Sequence, residues 1–264
     1  MKKHLFLFSA ALLAFTSAIA GELKTSKPSK AGFDGERLER IDRMIQGCVD
    51  RKEVPGAVAI LIRNGNIAYH KAFGWADIAS KKPLKNDSLF RIASMSKLIT
   101  TVGALQIYEK GHYNMYTELG SVLPEFEEQQ VLESWNTEKG VFVSRPAQKK
   151  ILMNQLFTHT SGIVYPVFTS KGRAGYMKSK ITDAFPGGNE TLEDNIKRLA
   201  SVPLAHEPGE GYTYGMNMDV LGRIIEVLDG RPFAKYMRDE IFTPLDMKDT
   251  GFSIPKEKYN RMAT

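Results

Sequence analysis

The sequence predicts an α/β (α+β) fold: an antiparallel sheet with flanking helices, into which a mostly helical domain is inserted. Three observations predict it. The front of the chain reads helix, strand, tight turn, strand. The middle reads as successive helices, with apolar residues three and four apart. The length, 264 residues, suits one large domain or two intimately packed ones.

Residues 1–20 stand apart from that fold. Lys2 and Lys3 give a positive start, residues 5–15 form a short apolar run, and Ala18-Ile19-Ala20 is a small-x-small site before Gly21. That is the pattern of a secretory signal peptide. The run is too short to span a bilayer, and no later stretch is long and apolar enough to do so. The expectation is a periplasmic or secreted protein with no membrane insertion after cleavage. The mature domain is expected over 21–264, with the sheet part in 21–85 and the helical part in 86–250.

The formal net charge is +6 and falls to about +4 without Lys2 and Lys3. Basic and acidic residues are interspersed, which describes a solvated surface and not a nucleic-acid patch. Cys48 is the only cysteine, so no internal disulfide forms. It falls on an apolar helical position and reads as a small core residue.

The elements follow in order. Asp34 caps a helix whose apolar positions are Leu38, Ile41, Met44, Ile45, Cys48 and Val49. Residues 57–62 read as a strand, Asn64-Gly65 as a tight turn, and 67–73 as the returning strand. Two strands make a marginal sheet, so more are required. Residues 94–110 form a long helix with Met95, Leu98, Ile99, Val102, Leu105, Ile107 and Tyr108 on several faces, a pattern that predicts burial. Residues 127–150 read as a polar surface excursion. Residues 151–157 form a short helix, and 165–190 a glycine-containing loop or lid. Helices are expected at 192–199, 219–228 and 233–241.

Ser94-Met95-Ser96-Lys97 carries the strongest chemical signal. A Ser-x-x-Lys arises about once by chance in a chain of this size, and a second one, Ser253-Ile254-Pro255-Lys256, is present. Pro255 disfavours a helical turn there, so nothing aims Lys256 at Ser253. Ser94 opens a helix, where residues three apart share a face, so the Lys97 amine reaches the Ser94 hydroxyl. An amine held neutral by apolar surroundings and the helix start takes the serine proton, which activates the nucleophile.

Four segments extend the signal. Residues 90–97 resemble the catalytic segment of the β-lactamase-related, penicillin-recognising serine hydrolases, with its Ser-x-x-Lys signature. Leu156-Phe157-Thr158-His159-Thr160-Ser161-Gly162 is similar to the family's Leu-Leu-Thr-His-Thr-Ser-Gly stretch. Glu207-Pro208-Gly209 with Tyr212-Thr213-Tyr214 resembles the approach to its second catalytic motif. Residues 244–252 are similar to its Pro-Leu-Gly-Met-x-Asp-Thr segment.

The resemblance implies a β-lactamase/transpeptidase-like fold. It also implies an acyl-enzyme on Ser94, with Lys97 and Tyr214 sharing the general-base work and the Ser94 backbone N–H in the oxyanion hole. The second motif usually reads Tyr-x-Asn. Here Tyr214 takes the tyrosine place and Met216 the asparagine place, while Asn217 is one residue too far. An apolar residue at that place resembles the family VIII carboxylesterases, so a small-molecule ester or amide is the expected substrate class. A class C-like β-lactamase, a DD-peptidase and a non-catalytic homologue remain as alternatives. The family's third motif, Lys-Thr-Gly or its Trp-x-Gly and His-x-Gly variants, does not follow Phe252. The C-terminal strands and closing helix are therefore expected to be missing.

Other chemistries find little support. His159 and Ser161 have no acid placed behind the histidine, and in the family that segment shapes the site. There is no Gly-x-Ser-x-Gly elbow. The five histidines are scattered without a His-Glu-x-x-His, so no metal or cofactor is expected. Trp75, Trp135 and Tyr165 are candidates for an apolar acyl pocket, although single aromatics more often fill cores. The sequon Asn189-Glu190-Thr191 has meaning only in a eukaryotic secretory route.

Overall fold

The computed structural model describes residues 23–183 and 190–264. The expected signal peptide, and Asn189 of the sequon, lie outside the described residues. The chain divides into two compact units: residues up to Phe90 together with Lys256–Thr264, and Arg91–Pro255.

The first unit is a sheet with one helix. It begins with β1 (Lys24–Thr25) and α1 (Gly35–Asp50). The Asp34 carboxylate caps α1, accepting from the N–H groups of Glu36 at 3.0 Å and Arg37 at 3.3 Å. Strands β2 (Gly56–Arg63) and β3 (Asn66–Asp77) form the expected hairpin. Asn64 and Gly65 both take positive φ, 52° and 68°, the backbone that twists a two-residue turn to match its strands. Gly74 is needed for close approach: a Cβ there would stand 2.4 Å from the Pro55 carbonyl oxygen.

Two short pieces extend the hairpin, where the sequence offered only two strands. β1 pairs with β3 in parallel, and β4 (Lys82–Pro83) pairs with it antiparallel. Both are two residues long and carry no alternation, which is why pattern reading misses them. Residues 256–264 return to the same unit: Leu89 N–H donates to Arg261 O at 2.8 Å, and Thr264 N–H to Ala76 O at 2.8 Å. Tyr69 is buried on β3 and donates to Asp42 at 2.5 Å. The inward face of α1 is narrower than its spacing suggests. Leu38 is buried, Met44 is exposed and Cys48 is half-buried, so Cys48 is not a core residue.

The second unit is mostly helical. Its elements are α2 (Ser96–Glu109), β5 (Gln130–Asn136), β6 (Val141–Pro146), α3 (Met153–Phe157), α4 (Arg173–Lys178), α5 (Leu192–Ala200), α6 (Asn217–Asp229) and α7 (Phe233–Met237). A π-helical turn, Arg238–Phe242, continues α7. α6 is the central post. Val220, Leu221, Ile224 and Ile225 are buried in one cluster with Ala104 and Ile107 of α2, Leu156 of α3, Ile196 of α5 and Tyr236 of α7. Gly103 lets α2 come close: a Cβ there would lie 2.9 Å from the Met237 sulfur.

Three sequence expectations are corrected in this unit. Residues 127–150 hold an antiparallel hairpin and not an irregular excursion. Trp135 and Phe142 pair across it at 5.1 Å, Phe142 reaches buried Tyr176 at 4.8 Å, and Val131 and Leu132 are buried, while Val141 and Val143 are exposed. Within the expected 165–190 loop, Arg173–Lys178 is helical, and residues 184–189 lie outside the described residues. The helix around Ser94 is not buried all round. Thr100, Gly103, Ala104 and Ile107 face inward, whereas Met95 is 66% and Leu98 72% exposed. Within this unit, α2 buries the face turned to α6 and α7.

Candidate active site

Ser94 sits in a 3₁₀ turn, Ala93–Met95, that runs directly into α2. The turn is entered through Ala93 at φ 43°, a conformation that a residue with a Cβ adopts at a cost. This sharp entry leaves Ser94 exposed at the head of the helix. Lys97, one turn on, places its Nζ 3.1 Å from Ser94 Oγ. From 120 residues further along the chain, Tyr214 donates its hydroxyl to the same oxygen at 2.8 Å. The structure thus brings Ser94, Lys97 and Tyr214 together around one oxygen.

The sequence suggested a neutral amine in apolar surroundings; instead Lys97 lies against two aromatic rings and acts as a positive charge on Tyr214 and His159. Its ammonium lies 4.8 Å from the centre of the Tyr214 ring and 5.7 Å from that of Tyr165. These two rings stack in parallel, 6.0 Å apart and 5° from coplanar. Their environments drive them apart. Burial, then neighbouring Asp219, Asp183 and Tyr214, push the Tyr165 phenol up to about 12. Burial also opposes ionisation of Tyr214, but its interactions with Lys97 and Ser94 outweigh it, and that phenol is held below its ordinary value. One of two stacked tyrosines is therefore fixed neutral while the other is eased toward phenolate.

Tyr214 owes its place to the segment around His159. Thr213 N–H donates to His159 O at 2.9 Å, Gly215 N–H to His159 Nδ1 at 3.3 Å, and Met216 N–H to Val164 O at 3.2 Å. Asn217 opens α6 and is fully buried. Its Nδ2 lies 2.9 Å from His159 Nδ1, and its Oδ1 accepts from Ser161 Oγ at 2.5 Å. Ser161 Oγ in turn accepts from Ile163 N–H at 3.1 Å. Asn217 therefore serves this backbone lattice. Met216, in the place where the resembling family carries an amide, is buried in the core. Burial first, and then the Lys97 charge, hold the His159 imidazole below its ordinary value.

Sequence reasoning missed two further residues. Asp219, in the first turn of α6, has its carboxyl pushed up to about 6 by burial, against the opposing pull of its backbone bond and Lys97. Asn217 looked like a failed motif position. The available signal for both was their place in the first turn of a helix whose following residues, Val220, Leu221, Ile224 and Ile225, are apolar. Of the three aromatic candidates, only Tyr165 joins the site. Trp135 is engaged by Phe142 and by Lys178 at 5.6 Å. Trp75 belongs to β3 of the first unit and pairs with Pro83. Among the described residues no His, Cys, Asp and Glu group is arranged to hold a metal.

A short turn that presents a serine to a lysine three residues on and to a tyrosine from a distant loop defines a class of acyl-transfer site. Residues 41–264 match the Beta-lactamase family model, and the chain belongs to that family. It is 32% identical to Esterase EstB of Burkholderia gladioli, over 85% of this chain and 54% of the relative. It is 31% identical to a lovastatin esterase of Penicillium rubens, over 80% and 52% respectively. Among solved structures, it is similar to EstCE1, described as a hydrolase with promiscuous acyltransferase activity, with a TM-score of 0.74 at 28% identity, over 86% of this chain and 55% of that one. Simvastatin synthase (LovD) from Aspergillus terreus matches with a TM-score of 0.71 at 28% identity, over 87% and 57%. These neighbours bear out the β-lactamase/transpeptidase-like fold. The chain spans about half the length of the curated relatives it matches.

Proposed function

We propose that this chain carries the nucleophile of an exported serine hydrolase that forms an acyl-enzyme on Ser94, with a small-molecule carboxylic ester as its substrate. The observation that carries this reading is the single oxygen of Ser94 held by Lys97 Nζ at 3.1 Å and Tyr214 Oη at 2.8 Å. As Ser94 Oγ attacks the substrate carbonyl carbon, its proton passes to Tyr214, whose phenolate form is favoured by the Lys97 charge. The C–O bond to the alcohol then breaks, and Tyr214 returns the proton to the leaving alkoxide. Water, activated by the same phenolate, attacks the acyl carbon and regenerates Ser94. The backbone N–H of Ser94 supplies one donor to the oxyanion.

Ester over lactam is supported by Met216, which has no amide to offer a lactam side chain, and by the esterase names of the relatives. The sequence pattern of residues 1–20 supports export, which predicts a secreted or periplasmic protein beginning at Gly21.

A fluorophosphonate probe and paired turnover assays test the reading. Wild type is expected to be labelled, and Ser94→Ala is not. A short p-nitrophenyl ester is expected to turn over faster than a chromogenic cephalosporin. Labelling that survives Ser94→Ala removes Ser94 from the mechanism, and cephalosporin turnover well above ester turnover moves the assignment to the lactamases. An enzyme inert to all three reagents is the non-catalytic relative.

A further inference from the structure

The hydrogen bonds that lead to the His159 ring all point one way. Ile163 N–H donates to Ser161 Oγ, the Ser161 hydroxyl to Asn217 Oδ1, and the Asn217 amide to His159 Nδ1. Gly215 N–H donates to the same nitrogen. A side-chain amide can turn over and exchange its donor for its acceptor, but a backbone N–H cannot. Nδ1 must therefore be bare, and the neutral ring carries its proton on Nε2. The turn that presents Tyr214 is thus fastened to a nitrogen that works only as an acceptor. It has little room to adjust, because Gly215 already touches Ile163: a Cβ there would sit 1.9 Å from the Ile163 carbonyl oxygen.

We propose that neutral His159 is the positioning residue for Tyr214, and that a proton on its Nδ1 unfastens the turn and withdraws the phenol from Ser94. This rests on the reading of Ser94, Lys97 and Tyr214 as the reacting groups. A proton on Nδ1 sets two N–H donors, from Gly215 and Asn217, against a third. It also places a cation beside Lys97.

The groups facing His159 are few. Lys97 from α2 opposes its protonation. The rings of Tyr214 and Tyr212 stand 5.0 Å and 6.1 Å from its own. His206, on the adjoining 205–211 loop, engages the Glu207 carbonyl through Nδ1 at 2.9 Å. Asp219 acts on Tyr214 from α6 and is the competing titrant.

The test joins a spectroscopic reading to a kinetic one, on the full chain. ¹³Cζ-tyrosine labelling follows Tyr214, assigned through Tyr214→Phe, and ring-¹⁵N labelling follows His159, while pH is lowered from 8 to 5. The expected result is a bare Nδ1 at pH 8 and a step in the Tyr214 resonance at the His159 midpoint. In His159→Asn, whose amide oxygen can replace Nδ1 as an acceptor that does not titrate, the step disappears. Ester hydrolysis by wild type is expected to fall along the same midpoint. His159→Phe is expected to lose roughly 100-fold in kcat, and His159→Asn to recover all but about tenfold of it without the acid fall.

A Tyr214 step that persists in His159→Asn, or that vanishes only in Asp219→Asn, overturns the proposal, as does a protonated Nδ1 at pH 8. If His159→Phe does not fold, the wild-type and His159→Asn titrations still decide. A coupled step in a chain without hydrolysis supports the positioning role and counts against the esterase reading alone.

Discussion

The two partners of Ser94 reach it by opposite routes. Lys97 is three residues away on the same turn, so helix geometry alone delivers it. Tyr214 comes from 120 residues further along the chain and is held by bonds from its neighbours to His159 and Val164. A local partner is robust to change elsewhere in the fold. A distant partner is only as well placed as the lattice behind it, and it can be released by a single proton. The site thus combines one rigid contact with one conditional contact.

That difference can be broken open by substitution. Lys97→Met removes the local partner and the positive charge that favours the Tyr214 phenolate, and kcat for an ester is expected to fall by about 10³–10⁴. The drop should be largest at neutral pH and shrink as pH rises, because without that charge the Tyr214 phenol ionises at higher pH. Tyr214→Phe is expected to cost about 10²–10³. Because the Tyr214 phenol lies below its ordinary value of 10, wild-type activity should rise with pH through a limb below 10, and Tyr214→Phe should lack that limb. A pH-independent Tyr214→Phe defect would mean that the phenol only orients substrate.

Stability measurements sharpen the same contrast. The folded pKa of Asp219, about 6, stands above its ordinary 3.8, so the folded state binds this proton more tightly than the unfolded chain. Its contribution is then fully favourable below about pH 4 and is lost as pH rises through about 6. Asp219→Asn should stabilise the protein at pH 7 by up to roughly 3 kcal/mol, a gain that shrinks to nothing near pH 4 in urea melts. No gain at pH 7 would mean that the carboxylate is better solvated than its burial implies. Asn217→Ala strips His159 and Ser161 of a buried partner and should cost about 1–3 kcal/mol. It should also weaken Tyr214-dependent catalysis more than Lys97-dependent labelling of Ser94.

What the sequence revealed follows the same division. Ser94 and Lys97 are legible because a helix fixes their relation within four residues, and Pro255 excludes the second Ser-x-x-Lys by equally local reasoning. The Asn64-Gly65 hairpin and the cap at Asp34 are legible for the same reason. Tyr214 could be identified only by resemblance. The lattice behind it was not legible, because the bond from Ser161 to Asn217 spans 56 residues and neither side chain betrays its partner. The β5–β6 hairpin was hidden by its polar outward residues, and the exposed row of α2 by a composition that suits either an interior or a covered surface. Asp219 resembled any helix-start acid, and only burial marks it as different.

The backward twist at Ala93 carries a consequence for how the neighbourhood of Ser94 tolerates change. With φ at 43°, position 93 admits glycine, and asparagine or aspartate with modest strain, but not valine, isoleucine or threonine, whose branched Cβ is the worst tenant of that conformation. In a saturation library the residue before the nucleophile should thus accept a narrow alphabet defined by backbone shape. Polarity and size, the usual guides to active-site libraries, would rank the survivors wrongly.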